Sequence, residues 1–224
     1  MTKNLWSLPV VLLMMFVINC SKGPDSYYPL KEGRSWEYQV TTGAMFGSTG
    51  TQKLVITNFA LRDLGGKKVT PRKIDIGGQT SFYFIAEDAS GILEYASQPS
   101  GTVEPEIKAS PTYILKNPIQ AGTTWEDKTK TIFGKVPYTQ KNKIESIDET
   151  VTVPAGTFKG CIKLRATGSV QKNTGIFGIA KITIEQYEWF APDIGMIKSS
   201  VKESSNHMMV GSGEINIQLE SFKK

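Results

Sequence analysis

Residue types that commonly do chemistry are scarce in this chain. It has one histidine, His207, and two cysteines, Cys20 and Cys161. A Ser-His-Asp or Cys-His arrangement would have to use that single histidine. No G-x-S-x-G elbow, phosphate-binding glycine loop or C-x-x-C pair accompanies it. The sequence therefore predicts a non-enzymatic protein with no catalytic residue, no metal site and no cofactor.

Cys161 carries the one hypothesis of an activated side chain. In a strand, Lys163 and Arg165 would share its face, and nearby cations lower the pKa of a thiol and make it more nucleophilic. The alternative is a half-buried small residue that packs at a sheet edge. The sequence favours this second interpretation, because half-buried cysteines commonly serve as small apolar residues.

Carboxylates are concentrated at 145–149 and at Glu185 and Glu188. Glycoside hydrolysis needs two carboxyl groups about 5–10 Å apart across a cleft. Charged side chains on a solvent-facing strand are a commoner arrangement, and the pattern favours that interpretation.

Cys20 follows a short apolar run, residues 5–18, which Lys3 precedes. A membrane-spanning helix takes about 20 residues, so the run is too short to span and fits the core of an export signal. No alanine precedes Ala44, which argues against an ordinary A-x-A cleavage site. The stretch 17–20 instead resembles a bacterial lipobox, although Asn19 stands where a small residue is usual. We therefore predict a signal peptide at 1–19 and lipid attachment at Cys20.

The predicted anchor has consequences for location. A tether of residues 20–26 reaches at most about 20 Å, so the domain would stay close to the bilayer. Two acyl chains or more hold a protein stably on a membrane, whereas one is marginal. Ser21 after the lipidated cysteine favours, in enteric-type sorting, the outer membrane over retention in the inner one. The expected location is the cell envelope, in the outer membrane facing the periplasm.

Size and charge limit the remaining classes. The 224-residue chain suits one domain, predicted at 27–224, that needs no disulfide framework. The formal net charge is +5. No basic run of five to eight residues occurs, so nucleic acid is not an expected partner.

An internal repeat divides the predicted domain. The segment PLKEGRSWE at 29–37 returns as PIQAGTTWE at 118–126, and further echoes follow in the same order. We interpret this as a tandem duplication with halves of about 27–110 and 111–224 that complete one shared core.

Both halves have the pattern of β-strands. Trp36, Tyr38 and Val40 alternate with polar residues, and so do Ile215, Ile217 and Leu219. Period-two alternation with frequent glycine turns predicts hairpin-linked antiparallel strands. The predicted fold is all-β, either a curved open barrel of the lipocalin or lipoprotein-carrier type or a β-sandwich.

Five aromatic residues are candidates for binding. Trp36 and Trp125 follow the repeated Pro-x-x-x-Gly element, where each either staples the sheet end or forms a ligand platform. Phe46, Phe133 and Phe177 each stand beside a turn glycine, where polar residues are usual. These tips either form an exposed apolar rim for a lipid or a membrane, or fold back and plug the end of the sheet.

Three motifs carry a resemblance to a known group. The opening YYPL-x-x-G-x-x-W-x-Y at 27–38, VPAGTF-x-x-C at 153–161 and W-x-AP-x-IG-x-IK at 189–198 resemble a large family of uncharacterised bacterial envelope lipoproteins. The resemblance implies an all-β envelope protein and carries no catalytic residues with it. Its general fold is similar to open barrels that carry lipids or lipoproteins.

Two functions are therefore expected, both with the membrane as a partner through the lipid anchor. The first is a binding module for a lipid or another apolar ligand. The second is a structural or accessory subunit of an envelope protein complex. An elongated apolar cavity would favour the first, and a filled core would favour the second.

Overall fold

The computed structural model describes residues 26–44, 49–207 and 210–224. The predicted signal peptide and nearly all of the predicted tether therefore lie outside the described residues. The described chain forms β-strands and one 3-10 turn at Gly175–Phe177. The strands are β1 (Ser35–Ala44), β2 (Gly50–Asn58), β3 (Arg62–Leu64), β4 (Lys67–Ile76), β5 (Gln79–Asp88), β6 (Gly91–Gln98), β7 (Glu106–Lys116), β8 (Thr124–Lys130), β9 (Pro137–Val153), β10 (Gly156–Asn173), β11 (Ile179–Ala191), β12 (Gly195–Ser205) and β13 (Gly213–Lys223).

All strands except β3 follow one another in a single antiparallel sheet. Its order is β7-β6-β5-β4-β2-β1-β13-β12-β11-β10-β9-β8, and β3 pairs with β4. The sheet thus consists of two meanders, β1 to β7 and β8 to β13, joined by the ladder between β1 and β13. The prediction of an all-β antiparallel fold is confirmed, and of the two predicted architectures the sheet takes the barrel, which is nearly closed.

The strand pattern follows from side-chain alternation. Trp36, Tyr38 and Val40 on β1 are buried, and the residues between them point away from the core. They pack with residues of both meanders, including Ile56 and Leu219. Apolar groups from the two meanders therefore share one interior, as period-two alternation requires of a sheet that curves around its own core.

The two free edges of the sheet meet through side chains instead of a backbone ladder. The Trp125 indole Nε1 on β8 donates to the carbonyl oxygen of Tyr113 on β7, at 3.2 Å. The Tyr113 N–H donates to Oδ1 of Asp127, at 3.3 Å. These two hydrogen bonds close the barrel between β7 and β8.

The barrel has two distinct ends. Ser26 lies at one of them, which we call the base end, where its carbonyl accepts the Asp193 N–H at 2.8 Å. The loops 131–136 and 174–178 lie at the opposite end, which we call the tip end. β10 connects the two ends and has 18 residues, or about 55–60 Å at the usual rise per residue.

Each meander is preceded by a leading segment that docks on a hairpin turn of the other meander. Residue Ser26 pairs with Asp193 in the β11–β12 turn. The Asn117 N–H donates to the Ser90 carbonyl in the β5–β6 turn, at 2.8 Å. The two contacts are reciprocal. In the sheet, the first strand of each meander likewise lies beside the last strand of the other: β1 pairs with β13, and β8 lies beside β7. The duplication itself stays a prediction from the sequence.

Gly91 is required where the second leading segment docks. Its φ is +138°, and a Cβ there would lie 2.2 Å from the backbone oxygen of Leu115. We expect Gly91→Ala to lower the free energy of unfolding by about 2–4 kcal/mol, because the backbone of β7 must move. Urea denaturation of the full chain in non-ionic detergent measures it.

Gly43→Ala is the matched control, because no atom lies within 4 Å of its Cβ position. It should change stability by less than about 1 kcal/mol. Equal effects of the two substitutions would contradict the close approach at Gly91.

Candidate functional site

The predicted site residues are distributed over both ends and the seams of the barrel. Cys20 and Phe46 lie outside the described residues, so lipid attachment and the first aromatic tip stay predictions. Trp36 and Trp125 are buried on β1 and β8, and only 3% and 5% of their surface is exposed. Phe133 is half-buried, and Phe177 is 57% exposed.

The tryptophans act as staples in this structure. The Trp36 indole donates to the Ile194 carbonyl at 2.7 Å, which ties β1 to the β11–β12 turn. The Trp125 indole closes the β7–β8 seam. Both indoles thus use their one donor on the protein itself. Both rings are almost completely buried, so neither forms the open ligand platform that was the alternative to a staple.

The two described aromatic tips differ. The backbone of Phe133 is held by the buried carboxylate of Glu203, which accepts the Ile132 N–H and, at 3.1 Å, the Phe133 N–H. The Phe133 ring lies against Gly213, where a Cβ would be 2.6 Å away. Phe133 therefore packs back onto the end of the barrel, as in the plug interpretation.

Phe177 projects from the β10–β11 hairpin instead. Its carbonyl contacts Nε2 of His207 at 3.0 Å, and its ring lies edge-on to the imidazole. Its neighbours Ile176 and Ile179 are 96% and 61% exposed. This hairpin leaves an apolar surface open at the tip end, far from Ser26.

Cys161 is completely buried in the core between the meanders. Burial raises its pKa to about 11, and the nearby Glu149 acts in the same direction. The pairing between β9 and β10 is irregular at Cys161, so Cys161 and Lys163 lie in different environments. The Lys163 ammonium group pairs with Glu145 at 3.2 Å. The hypothesis of an activated thiol is wrong, because the two cations do not face the sulfur.

The candidate site is a cavity of about 290 Å³ between the two meanders, and it is open to solvent. β2, β4, β5, β6 and β7 supply one wall, β11 and β12 supply the other, and the first leading segment closes one side. Most of its surface is apolar, but three charged side chains project into it. The lining residues are Tyr28, Ile56, Arg72, Ile74, Tyr83, Ile85, Glu94, Ile114, Glu188, Phe190 and Met196.

Arg72 is fixed in the cavity wall by its neighbours. Its Nε donates to Oδ1 of Asn58 at 2.9 Å, and its Nη2 donates to the Pro29 carbonyl at 3.1 Å. The guanidinium carbon lies 4.1 Å from the centre of the Tyr28 ring and 4.9 Å from that of Trp36. This cation is therefore stabilised by an amide, a carbonyl and two aromatic faces.

Glu94 and Glu188 face the cavity in different electrostatic states. Glu94 pairs with Lys108 at 2.8 Å, although burial still raises the pKa of Glu94. Glu188 forms no ion pair with any described residue, and its one hydrogen bond comes from the Gln186 amide at 2.9 Å. Burial raises the pKa of Glu188 to about 7, because the anion loses solvation that no cation replaces.

A second line of polar groups runs through the interior beside this cavity. The amide of Asn142 donates to Asp127 at 3.0 Å, and the Gln140 amide donates to Asn142 at 2.9 Å. The Tyr138 hydroxyl completes the chain at 2.8 Å from Gln140. Burial also raises the pKa of Asp127. The interior is thus of mixed polarity, in contrast to the expected apolar lumen.

Sequence reasoning missed the cavity residues Arg72 and Glu94, and it grouped Glu188 with Glu185. The structure places these two carboxylates on opposite faces of β11. Glu185 faces outward, where it pairs with Arg165 at 2.7 Å. The signal for Glu188 was available, because it shares its strand face with Ile182, Ile184 and Phe190, all of which are buried.

Comparison with known proteins gives a family match over part of the chain and two solved structures of low similarity. Residues 122–212, within the second predicted repeat, match the DUF3108-like family. A candidate lipoprotein from Parabacteroides distasonis ATCC 8503 has 15% identity and a TM-score of 0.43, over 88% of this chain and 98% of its own. A candidate exported protein with a YmcC-like fold from Bacteroides fragilis NCTC 9343 has 17% identity and a TM-score of 0.43, over 91% and 100%. A search of curated proteins gives no match.

Two kinds of feature are absent from the described residues, a membrane-spanning helix and a metal-binding group. Within 26–44, 49–207 and 210–224, no helix is long and apolar enough to cross a bilayer. In the same ranges, no three side chains of the histidine, cysteine, aspartate and glutamate types lie together as a metal-binding group.

The buried thiol gives a direct test. In a Cys20→Ser variant only Cys161 can react, and we expect iodoacetamide at pH 8 to modify it at least about tenfold more slowly than free cysteine, because the thiolate is scarce and enclosed. Mass spectrometry follows the rate, and the same protein in 8 M urea should react at the free-cysteine rate. A native rate at or above that of free cysteine would contradict the buried position.

Glu188 should make stability depend on pH. Its pKa is raised in the folded state, so unfolding releases a proton between the ordinary glutamate pKa and about 7. The free energy of unfolding of the wild type should therefore fall as pH rises through this window. Glu188→Gln should remove the part of this decrease that Glu188 causes. At pH 8 we expect the variant to exceed wild type by at least about 1 kcal/mol in urea denaturation.

Glu185→Gln serves as the control of opposite sign. Hydrogen bonds from Tyr187 and Arg165 lower the pKa of Glu185, so its contribution is present above that pKa and is lost in acid. This variant should lose stability relative to wild type as pH rises. The same pH response in both variants would argue against the buried state of Glu188.

Proposed function

We propose that this protein is a lipid-anchored, non-catalytic binding protein of the cell envelope that holds a small amphipathic molecule in its interior cavity. The observation that carries the proposal is the cavity between the meanders, which combines an apolar lining with Arg72, Glu94 and Glu188. Ligand sites are commonly concave and mainly apolar, with a few polar groups that orient the ligand.

The dimensions of the cavity favour a short ligand. Its volume of about 290 Å³ is at the lower limit of the range of about 300–1,000 Å³ that is usual for ligand pockets. A long acyl chain would need an elongated apolar lumen. Polar side chains such as Asn142 and Gln140 occupy part of the interior outside the cavity, so the lumen is not apolar along its length. The expectation of a lipid ligand is therefore narrowed to a small molecule with an apolar part.

Binding fits the cavity better than catalysis does. Its described lining contains no histidine, cysteine, serine or threonine. Arg72 and Glu94 are held by partners within the protein, which leaves no adjacent nucleophile and base. A positioned charge with aromatic and aliphatic walls is the chemistry of recognition.

The envelope location rests on the sequence. The apolar run 5–18 followed by Cys20 supports export and lipid attachment, and Ser21 supports the outer membrane, facing the periplasm. Ser26 at the base end would place that end of the barrel next to the bilayer, within about 20 Å of the acylated residue.

A second candidate function is that of an accessory subunit in an envelope protein complex. The exposed apolar hairpin with Ile176, Phe177 and Ile179 favours it, because neighbouring exposed apolar side chains at a hairpin tip suit a protein contact. The two functions use opposite parts of the molecule, so they can be tested separately.

The test of the binding function uses 1-hexanol as the probe and isothermal titration calorimetry of the full chain in non-ionic detergent, with empty micelles as the blank. Wild type should give saturable heat. Ile114→Phe, which fills the cavity, should weaken binding at least about tenfold. Ile107→Phe lies on the same strand but is exposed, and it should bind as wild type does.

A thermal unfolding scan shows whether the filled variant is folded, and Ile74→Phe, from β4 in the same wall, replaces it if it is not. Equal binding by the filled variants and wild type, or no saturable heat from wild type, would refute the proposed function.

A further inference from the structure

The uncompensated carboxylate in the cavity indicates what kind of ligand it takes, provided that the proposed binding function holds. The ionisable groups around the cavity are Tyr28 from the leading segment, Arg72 from β4, Tyr83 from β5, Glu94 from β6 and Glu188 from β11. Arg72 and Glu94 are compensated within the protein by several contacts or by an ion pair, whereas Glu188 has one hydrogen bond.

The partnered charges are those of Arg72 and Glu94. Arg72 donates to Asn58 and to the Pro29 carbonyl and stacks on Tyr28. Glu94 is paired with Lys108, whose Nζ also donates to the Thr112 hydroxyl at 3.2 Å. Neither group needs a ligand to satisfy it.

Glu188 is the exception. A single amide hydrogen bond from Gln186 satisfies one carboxylate oxygen of this half-buried side chain, whereas a carboxylate withdrawn from water ordinarily needs a cation or several donors. The neighbouring strands place Leu164 and Ser199 beside it, and neither is cationic. A ligand that brings a protonated nitrogen would supply the missing partner.

The walls near this carboxylate also suit a cation. Tyr28 and Phe190 lie with their ring centres 6.3 Å apart, and Tyr83 lines the same cavity. Aromatic faces attract ammonium groups, most strongly where water is excluded. Ile56, Ile74, Ile85 and Ile114 supply an apolar surface for a short chain.

We propose that the cavity binds a protonated amine that carries a short apolar chain, with the ammonium group on the Glu188 carboxylate and the chain against the isoleucines. Binding then stabilises the ionised carboxylate, so a proton leaves Glu188 as the amine enters. Affinity therefore rises with pH until Glu188 is fully ionised in the free protein and is constant above that point.

The test compares three probes of one chain length, hexylamine, 1-hexanol and hexanoate, by calorimetry of the full chain at pH 8. Hexylamine should bind at least about tenfold more tightly than 1-hexanol, and hexanoate should bind most weakly. Between pH 8 and pH 5.5 the affinity for hexylamine should fall several-fold, while that for 1-hexanol should stay constant. Hexylamine remains protonated over this range.

Glu188→Gln should abolish the preference for hexylamine and its pH dependence, so that hexylamine binds this variant no more tightly than 1-hexanol does. Glu185→Gln, on the outer face of the same strand, should keep both. If 1-hexanol binds but hexylamine has no advantage, or if the advantage survives in Glu188→Gln, the amine proposal fails and the binding function stands. If none of the probes binds wild type, the binding function fails as well.

Discussion

The closure of the sheet between β7 and β8 is the constraint on which the interior depends. The two edges share no backbone ladder, and they meet through the Asp127 carboxylate and the Trp125 indole, which bind the N–H and the carbonyl oxygen of one residue, Tyr113. An open edge would expose unpaired backbone groups and the apolar lining to water. One tryptophan and one aspartate therefore join the two edges of the sheet and satisfy the backbone groups of Tyr113.

The sequence predicted the strands well and the interior poorly. The alternation of Trp36, Tyr38 and Val40 identified β1 and its buried face, because a two-residue period needs no tertiary information. Glu185 and Glu188 form one charged group along the sequence, although Ile182, Ile184 and Phe190 mark the face of β11 that Glu188 shares as the inner one. The burial of Cys161 was hidden because irregular pairing with β9 breaks the simple alternation around it.

The predicted aromatic positions illustrate the same limit. The repeated Pro-x-x-x-Gly-x-x-Trp element marks the start of each meander, and both tryptophans tie their strand to another part of the sheet. Whether a tip phenylalanine packs inward depends on a distant partner. Phe133 has Glu203 and Gly213 to receive its loop, whereas the Phe177 ring lies edge-on to His207 and is 57% exposed. Such partners come from strands that are far away along the chain, and local pattern does not show them.

The long strands that connect the base end to the tip end also have a mechanical meaning. β9 and β10 run side by side over most of their length, as Pro137–Val153 and Gly156–Asn173. If the base is held by a lipid and the hairpin at Phe177 is held by another molecule, tension acts along the strands. Their cross-strand hydrogen bonds would then be loaded together in shear, and the barrel would resist extension between its two attachment sites.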